Sequence, residues 1–463
     1  MDLIAFFAVV LAIPLGLAGG AAVLAARSTP RERHRPVSRL ALAHGAVLAT
    51  LGLAVLAGNA WATREDVHYD DFGSAVQLYT SMLGAALLFL GLGPFVAWAL
   101  KLPARHAARL PVTVRLAARE AAGASRGTAA LTAAVMLATG LAVTLMVSAA
   151  AVTTQNRAQY LPQARPGALQ VDTFYTDDPD AVGAAVREEL PPGVPVLRSE
   201  ETAGSGHVTY AGDGWSGFDA FVGDETLLRY LTGDPATPYD EDTAVLVTAE
   251  PGADPTIELH YSMTTPPGEY LTKTIPAITV RPADPRLSAL FVPAKVVRGL
   301  GFDLEAGRFL VDPAAHRTTR AEQERLTDRL SDLAEVHVER GYEPATGWIP
   351  VAGALILLAL GGGLAATALA ARGSRRARVL RRAGGSPRRY AACRAGLVTA
   401  CGALPGAAGG GVAGLLLAWP LTTSIEWDVP PRVAFDTPWE LVAALAAGLP
   451  ALAAALAALR PAR

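Results

Sequence analysis

Residues 348–371 read WIPVAGALILLALGGGLAATALAA, a run without a single Asp, Glu, Lys or Arg. An α-helix rises about 1.5 Å per residue, so a run of this length crosses the roughly 30 Å hydrocarbon core of a bilayer. The chain has 463 residues, of which 51% are hydrophobic and 18% charged, and its apolar residues are gathered in long runs. A soluble chain cannot bury such runs, and the sequence therefore predicts a polytopic α-helical membrane protein.

Seven uncharged runs are long enough to cross a membrane. They cover residues 3–26, 40–62, 78–100, 129–152, 348–371, 395–419 and 441–459. The first run follows Met1 and Asp2 without a preceding positive charge, and it is longer than the apolar core of a signal peptide. We therefore expect about seven membrane helices, the first of them retained.

The charges of the connecting segments predict the orientation, because cytoplasmic loops collect Arg and Lys. Segments 27–39, 101–127 and 372–394 carry five, six and nine basic residues, with one, one and no acidic residues. Segments 63–77 and 420–437 each carry one basic residue, with four and three acidic ones. This alternation predicts an N-terminus outside the cell and a C-terminus inside it.

The same orientation places residues 153–347 outside as one large domain with 31 acidic and 16 basic side chains. Stretches that are rich in β-branched residues and bounded by Pro and Gly predict strands. Apolar residues at helical spacing predict helices, so the domain is expected to be α+β. The predicted strands cover 244–248, 275–280 and 290–292, and the predicted helices cover 180–190, 225–231 and 320–338. The helix at 320–338 either transmits movement to the next membrane helix or simply packs on the sheet of its own domain.

The predicted organisation has four parts. Residues 1–111 hold three membrane helices, 112–152 an amphipathic lead-in and the fourth helix, 153–347 the extracytoplasmic domain, and 348–463 three C-terminal helices. The last part contains the basic cytoplasmic segment 372–394.

Motifs for catalysis are weak in this sequence. A phosphate-binding P-loop needs a Gly-Lys pair, and none of Lys101, Lys273 and Lys295 follows a glycine. The GxSxG match at Gly123–Gly127 lies in a basic segment, not between a strand and a helix, and is expected to be chance. The eight histidines are scattered, and a net charge of -2 argues against a nucleic-acid binder. We therefore predict no catalytic residue, no metal site and no cofactor bound by this chain.

Small residues mark one face of the sixth predicted helix. Gly402, Gly406, Gly410 and Gly414 form three consecutive GxxxG units, and small residues at this spacing let helix backbones approach closely. The sequence predicts a packing face, either within the bundle or between two subunits.

The segment 372–394 has nine arginines and no acid, more than orientation requires. Gly384-Gly385-Ser386-Pro387 predicts a tight turn between its two basic pieces. Such a segment contacts either anionic lipid headgroups or a cytoplasmic protein with an acidic surface.

This layout resembles the FtsX-like ABC transporter permease family, particularly its actinobacterial branch of long, duplicated permeases. Residues 112–152 look like the family's lead-in and first helix, and the string VLRRAGGSPRR at 379–389 is similar to its ATPase-coupling loop. The positions that carry over are Leu380, Arg381, Gly384, Ser386, Pro387 and Arg388. The family commonly has a Glu shortly before the Leu-Arg of the loop, where this chain has Arg376, and often another early in the next helix, where this chain has Arg394, Ala395 and Gly396. The duplicated members have ten helices, and the seven predicted here correspond in orientation to the last seven.

The resemblance implies a non-catalytic permease subunit in the plasma membrane, with ATP used by a separate cytoplasmic ABC ATPase. It also implies a second permease subunit, identical or different, contact with membrane lipid, and export or extraction of a lipid, lipoprotein or peptide. The alternative is a transmembrane regulator or sensor whose external domain controls a cell-wall hydrolase or senses a peptide.

Overall fold

The computed structural model describes residues 39–64, 71–106, 111–123, 126–160, 162, 164–173, 176, 178–203, 207–211, 219–249, 256–262, 271–282, 287–371, 386–423 and 432–459. The chain divides into two compact units. The helical unit comprises Met1–Ala158 and Pro344–Arg463, and the sheet unit comprises Gln159–Glu343. These borders lie a few residues inside the predicted range 153–347.

Five described helices precede the sheet unit. They are α1 (Arg39–Ala62), α2 (Asp71–Ala99), α3 (Leu102–Arg105), α4 (Val112–Ala122) and α5 (Arg126–Gln159). The lead-in helix α4 is amphipathic, because Ala117, Ala118 and Ala121 are buried while Arg119 is exposed.

The sheet unit is built around ten described strands and four helices. In chain order these are β1 (Leu169–Asp172), α6 (Pro179–Glu189), β2 (Leu197–Thr202), β3 (His207–Ala211), β4 (Asp219–Gly223), α7 (Glu225–Thr232), β5 (Ala244–Val247), β6 (Thr256–Ser262), β7 (Leu271–Val280), β8 (Ala289–Pro293), α8 (Ala294–Arg298), β9 (Leu304–Val311), α9 (Arg320–Leu330) and β10 (Glu335–Val338). The strand order is β10-β1-β9-β2-β4-β8-β5-β7-β6-β3. The β4–β8 and β5–β7 pairs are parallel, and the other pairs are antiparallel.

Four of these strands form a βαββαβ arrangement. The order β10-β1-β9-β2, with α6 after β1 and α9 before β10, is that of a ferredoxin-like split βαβ motif. The other six strands lie in the segment between β2 and β9 and extend the same sheet. Both helices share a core with this part of the sheet, where the ring of Phe309 lies against Gly183 of α6 and packs with Leu326 of α9.

The predicted α+β domain is present, and most of its predicted elements are right. The strands at 244–248, 275–280 and 290–292 correspond to β5, β7 and β8, and the helices at 180–190 and 225–231 to α6 and α7.

The predicted helix at 320–338 is wrong beyond Leu330. The chain turns at 331–333 and then forms β10, with Val336 opposite Val171 and Val338 opposite Leu169. Val336 and Val338 alternate with polar residues, which is the pattern of an edge strand. This alternation describes the segment better than the helical spacing of apolar residues on which the prediction relied. No continuous helix connects this part of the sheet unit to the following membrane helix.

Three helices follow the sheet unit: α10 (Trp348–Ala371), α11 (Pro387–Leu421) and α12 (Trp439–Leu459). Together with α1, α2 and α5 they give six described helices that are long and apolar enough to cross a membrane. The predicted span at 3–26 lies outside the described residues. The protein is thus a polytopic helical membrane protein with an α+β domain.

The helical unit is held together by apolar side chains and close backbone contacts. Helices α5, α10, α11 and α12 share one core, with Val143, Leu355, Ala407 and Leu449 among its buried residues. Helices α1 and α2 pack through glycines. A methyl group added at Gly45 would lie 2.7 Å from the carbonyl oxygen of Gly91.

Candidate functional site

Helix α11 joins the predicted coupling loop to the rest of the bundle. Leu380, Arg381 and Gly384 lie outside the described residues. Ser386 is the N-cap of α11, and its hydroxyl accepts a hydrogen bond from the backbone N–H of Arg389 at 3.4 Å. Pro387 is the first helical residue, where its fixed φ is favourable, and Arg388 is exposed in the first turn. The tight turn predicted over 384–387 is therefore wrong in its second half, because Ser386 and Pro387 begin α11.

The predicted glycine face of α11 packs within this chain, against α5. A methyl group at Gly402 would lie 2.6 Å from the carbonyl oxygen of Thr132, and one at Gly414 would lie 2.7 Å from Cβ of Val147. Between them, Gly406 and Gly410 lie against the carbonyl oxygens of Met136 and Gly140. The contacts advance in the same direction along both helices, so α5 and α11 run parallel, as the predicted topology requires.

A hydrogen bond between the two helices accompanies these contacts. The hydroxyl of Thr144 donates to the carbonyl oxygens of Gly140, at 2.9 Å, and Gly410, at 3.2 Å. The contact between α5 and α11 is thus made largely by backbone atoms, with no long side chain between the helices that could adjust to a change in spacing.

A buried ion pair lies near the start of α11. Nη1 of Arg394 is 3.3 Å from Oε2 of Glu120 on α4, and its Nη2 donates to the carbonyl oxygen of Thr367 on α10 at 2.5 Å. The side chains of Arg394 and Glu120 are 7% and 14% exposed, so water screens their attraction little. We call Arg394, Glu120 and Thr367 the arginine junction.

The arginine junction contains polar atoms without partners. Within the described part of the chain, Nε of Arg394, the hydroxyl of Tyr390 and the hydroxyl of Thr399 are buried without a hydrogen-bond partner. The guanidinium of Arg394 also lies 5.8 Å from the centre of the Tyr390 ring. Most buried polar groups in proteins are paired, so this end of α11 is incompletely satisfied.

The other end of α11 is fastened by a second arginine. Arg432 donates through Nε to the hydroxyl of Thr422 at 2.9 Å and through Nη2 to the carbonyl oxygen of Trp419 at 3.1 Å. Its Nη1 reaches the carbonyl oxygen of Arg64 after α1 at 3.4 Å. The backbone N–H of Val433 donates to the side-chain oxygen of Gln155 on α5 at 2.9 Å. Both ends of α11 are therefore tied to neighbouring elements.

In the sheet unit, a hydrogen bond joins the chain segment that enters the unit, at Tyr160, to the segment that leaves it, at Glu339. We call Tyr160, Glu339, Gly341 and Tyr342 the neck. The hydroxyl of Tyr160 donates to Oε1 of Glu339, which also accepts from the backbone N–H of Gly341 at 2.7 Å. The side chain of Glu339 is 1% exposed, and the Tyr160 and Tyr342 rings meet edge to face at 5.9 Å.

Two acidic segments of the sheet unit make ordinary structural contacts. Asp178 is the N-cap of α6, and the turn at Asp240 to Asp242 contacts Lys295 at 3.1 Å through Asp242. Hydrogen bonds from Thr243 and from the backbone at Asp242 lower the pKa of Asp240.

Gly123 ends α4, and Ser125 of the GxSxG match lies outside the described residues. No group of three His, Cys, Asp or Glu side chains in the described ranges forms a metal site.

The sequence did not predict the pairing of Arg394 with Glu120. Glu120 is the single acid of segment 101–127, which has six basic residues, whereas Arg394 is one of nine arginines in 372–394. No local pattern therefore singles out Arg394 as the partner of Glu120. In comparisons with known proteins, no family model and no curated protein matches this chain.

Proposed function

We propose that this chain is the membrane-spanning permease subunit of an ABC-type complex in the plasma membrane. A separate cytoplasmic ATPase, which binds the ATP, docks on the basic segment 372–389 and on α4. The observation that carries the proposal is the path of α11. It begins at that basic segment, and its glycine face lies on the backbone of α5, whose C-terminal end leads into the sheet unit.

Close packing supports transmission along this path. Where backbones touch, one helix cannot be displaced without moving the other or opening the contact, because no flexible side chain absorbs the change. A displacement of the basic segment would therefore move α11 and α5 together. The sheet unit, outside the cell in this proposal, would follow the movement of α5.

The predicted spans contain no Asp, Glu, Lys or Arg, which supports a mechanism without a conducting pore, because charged residues within membrane spans commonly mark ion paths. We propose that the complex exports or extracts a lipid, lipoprotein or peptide at the outer leaflet. It contains a second permease subunit, identical or different, and is surrounded by membrane lipid.

The neck favours a second candidate function. Both connections to the sheet unit leave from the adjacent strands β1 and β10 and are tied by Tyr160 and Glu339, so movement at the neck would displace the unit as a whole. A unit moved in this way also suits a regulator that controls a cell-wall hydrolase or senses a peptide. Binding of a purified hydrolase to the chain would favour regulation, and loss of vesicle transport on deletion would favour export.

The first experiment is purification of the tagged chain in detergent from its native cells. We expect an ATPase at a near-equal amount. Arg381→Glu with Arg388→Glu should abolish its association while the chain still inserts, because the change reverses two charges in the proposed docking segment. The matched control, Arg187→Glu with Arg320→Glu, changes the net charge equally on exposed residues of the sheet unit. Equal recovery of the ATPase with both double variants would overturn the docking assignment.

A further inference from the structure

We infer that Arg394 is a positioning residue that ties α4 to α11 and α10, so that the lead-in helix follows the first turns of α11. The inference rests on the proposed function for what the movement accomplishes. The tie itself rests on the arginine junction alone, where one guanidinium bonds to Glu120 on α4 and to Thr367 on α10.

Burial makes this tie strong. A buried arginine that loses its carboxylate is left as an uncompensated charge, which is far more destabilising than the loss of an exposed ion pair. Moving α4 away from α11 would separate Arg394 from Glu120 in this way. Separating α4 from α11 is therefore costly, and a load on α4 reaches α11 through Arg394.

Arg394 holds Glu120 through a single N–H group. Glu120 contacts Nη1 of Arg394 only, whereas Nε has no partner in the described part of the chain. Arginine and carboxylate form their strongest pairs when two N–H groups face two oxygens. In this junction Nη2 is taken by the carbonyl oxygen of Thr367, so Glu120 is held through one N–H group and Arg394 divides its hydrogen bonds between α4 and α10.

A charge exchange tests the tie without any partner protein. We expect Arg394→Glu and Glu120→Arg each to lower the melting temperature of the full chain in detergent. The double variant should melt above both, although below the unaltered chain, because a glutamate cannot donate to the carbonyl oxygen of Thr367. Arg187→Glu, the same substitution at an exposed position of the sheet unit, should change little. A double variant that melts no higher than the less stable single variant would overturn the tie.

The positioning role needs a readout that a purely structural residue would not change. Cys393 adjoins Arg394 and is partly exposed, so Cys401→Ala leaves it as the single native thiol. In the complex purified from native cells, we expect ATP with vanadate to change the rate at which a maleimide labels Cys393. Arg394→Gln should retain the bound ATPase but lose that change.

The outcomes separate the two proposals. If Arg394→Gln retains both the ATPase and the nucleotide-dependent labelling change, Arg394 is merely structural and the inference fails. If no ATPase co-purifies with the unaltered chain, the proposed function fails and the transmission role falls with it. The charge exchange still decides whether Arg394 ties the three helices.

Discussion

Gly410 of α11 lies against the carbonyl oxygen of Gly140 of α5, so that the two helices meet backbone to backbone. The hydroxyl of Thr144 bridges the same contact by donating to the carbonyl oxygen of Gly410 at 3.2 Å. Any side chain at position 410 must push the helices apart, and this makes the contact testable with a single methyl group.

Gly410→Ala should destabilise the chain by about 1–3 kcal/mol, because the added Cβ overpacks a contact that has no flexible side chain to give way. Gly411→Ala is the matched control one residue away, since its Cβ would meet only Trp439 at 3.9 Å. The control should be neutral, or stabilising by up to about 1 kcal/mol from the better helix propensity of alanine. Thermal unfolding in detergent measures both variants, and equal stability would show that the helices do not meet at Gly410.

Asn59 should matter more than His44, another polar residue of α1. Its side-chain amide donates to the hydroxyls of Thr80 and Ser81 on α2, both at 2.9 Å, whereas His44 bonds only to Leu40 of its own helix. We expect Asn59→Leu to cost about 0.6–2 kcal/mol, the range found for hydrogen bonds between membrane helices. His44→Leu is the control and should leave the melting temperature unchanged. A larger loss with His44→Leu would contradict this account of the α1–α2 contact.

The sequence predicted the membrane helices because their signal is local. A long run without charges has few alternatives, and the described spans begin and end within several residues of the predicted ones. The glycine face of α11 was visible for the same reason, since a repeat of small residues stands out in an apolar helix. Its partner was not visible, because nothing local indicates that Gly410 meets Gly140 270 residues away in the chain.

The sheet unit shows where local patterns fail. The valines at 336 and 338 fit both a helix continued from Leu326 and Leu330 and an edge strand, and only pairing with β1 decides between them. The ferredoxin-like order was hidden for a related reason, because the segment between β2 and β9 separates the two halves of the motif. The Arg394–Glu120 pair joins residues from distant segments, and it was unpredictable without the packing of α4 on α11.

Removing the Tyr160 hydroxyl should loosen the neck. Tyr160→Phe leaves the buried carboxylate of Glu339 without one of its donors, and we expect a cost of about 1–3 kcal/mol. Hydrogen exchange in the full chain should then quicken at 167–172 and 335–341, where β1 and β10 pair. Tyr261→Phe removes a hydroxyl elsewhere in the sheet unit and should leave these peptides unchanged.

A double-mutant cycle with Glu339→Gln assigns the effect to the pair. If Tyr160 acts through Glu339, the two changes together should cost less than the sum of their separate costs, because each single change already breaks the bond. Strictly additive costs would mean that Tyr160 stabilises the neck by another route.

The N-terminus of α9 should respond to acid. Glu322 accepts hydrogen bonds from the backbone N–H of Thr319 at 2.7 Å and from its hydroxyl at 2.9 Å, while the Thr319 hydroxyl accepts from the backbone of Glu322. The backbone hydrogen bond from Thr319, aided by the Thr319 hydroxyl and by His316, lowers the pKa of Glu322 below its ordinary value of 4.5. The ionised form is therefore the one that the folded state stabilises.

The sign of the pH effect follows from this shift. Because the folded state holds the proton less strongly than the unfolded state, the contribution of Glu322 is present above pH 4.5 and is lost as the pH falls through the lowered pKa of the folded state. Glu322→Gln keeps a capping side chain but removes the charge, so it should cost about 1 kcal/mol at pH 7 and almost nothing at pH 3. Hydrogen exchange of residues 319–330 in the full chain, corrected for intrinsic rates, measures this difference.

Glu324→Gln, an exposed carboxylate on the same helix, is the control and should change exchange equally little at both pH values. A cost for Glu322→Gln that is the same at pH 7 and pH 3 would mean that the charge of Glu322 does not stabilise α9.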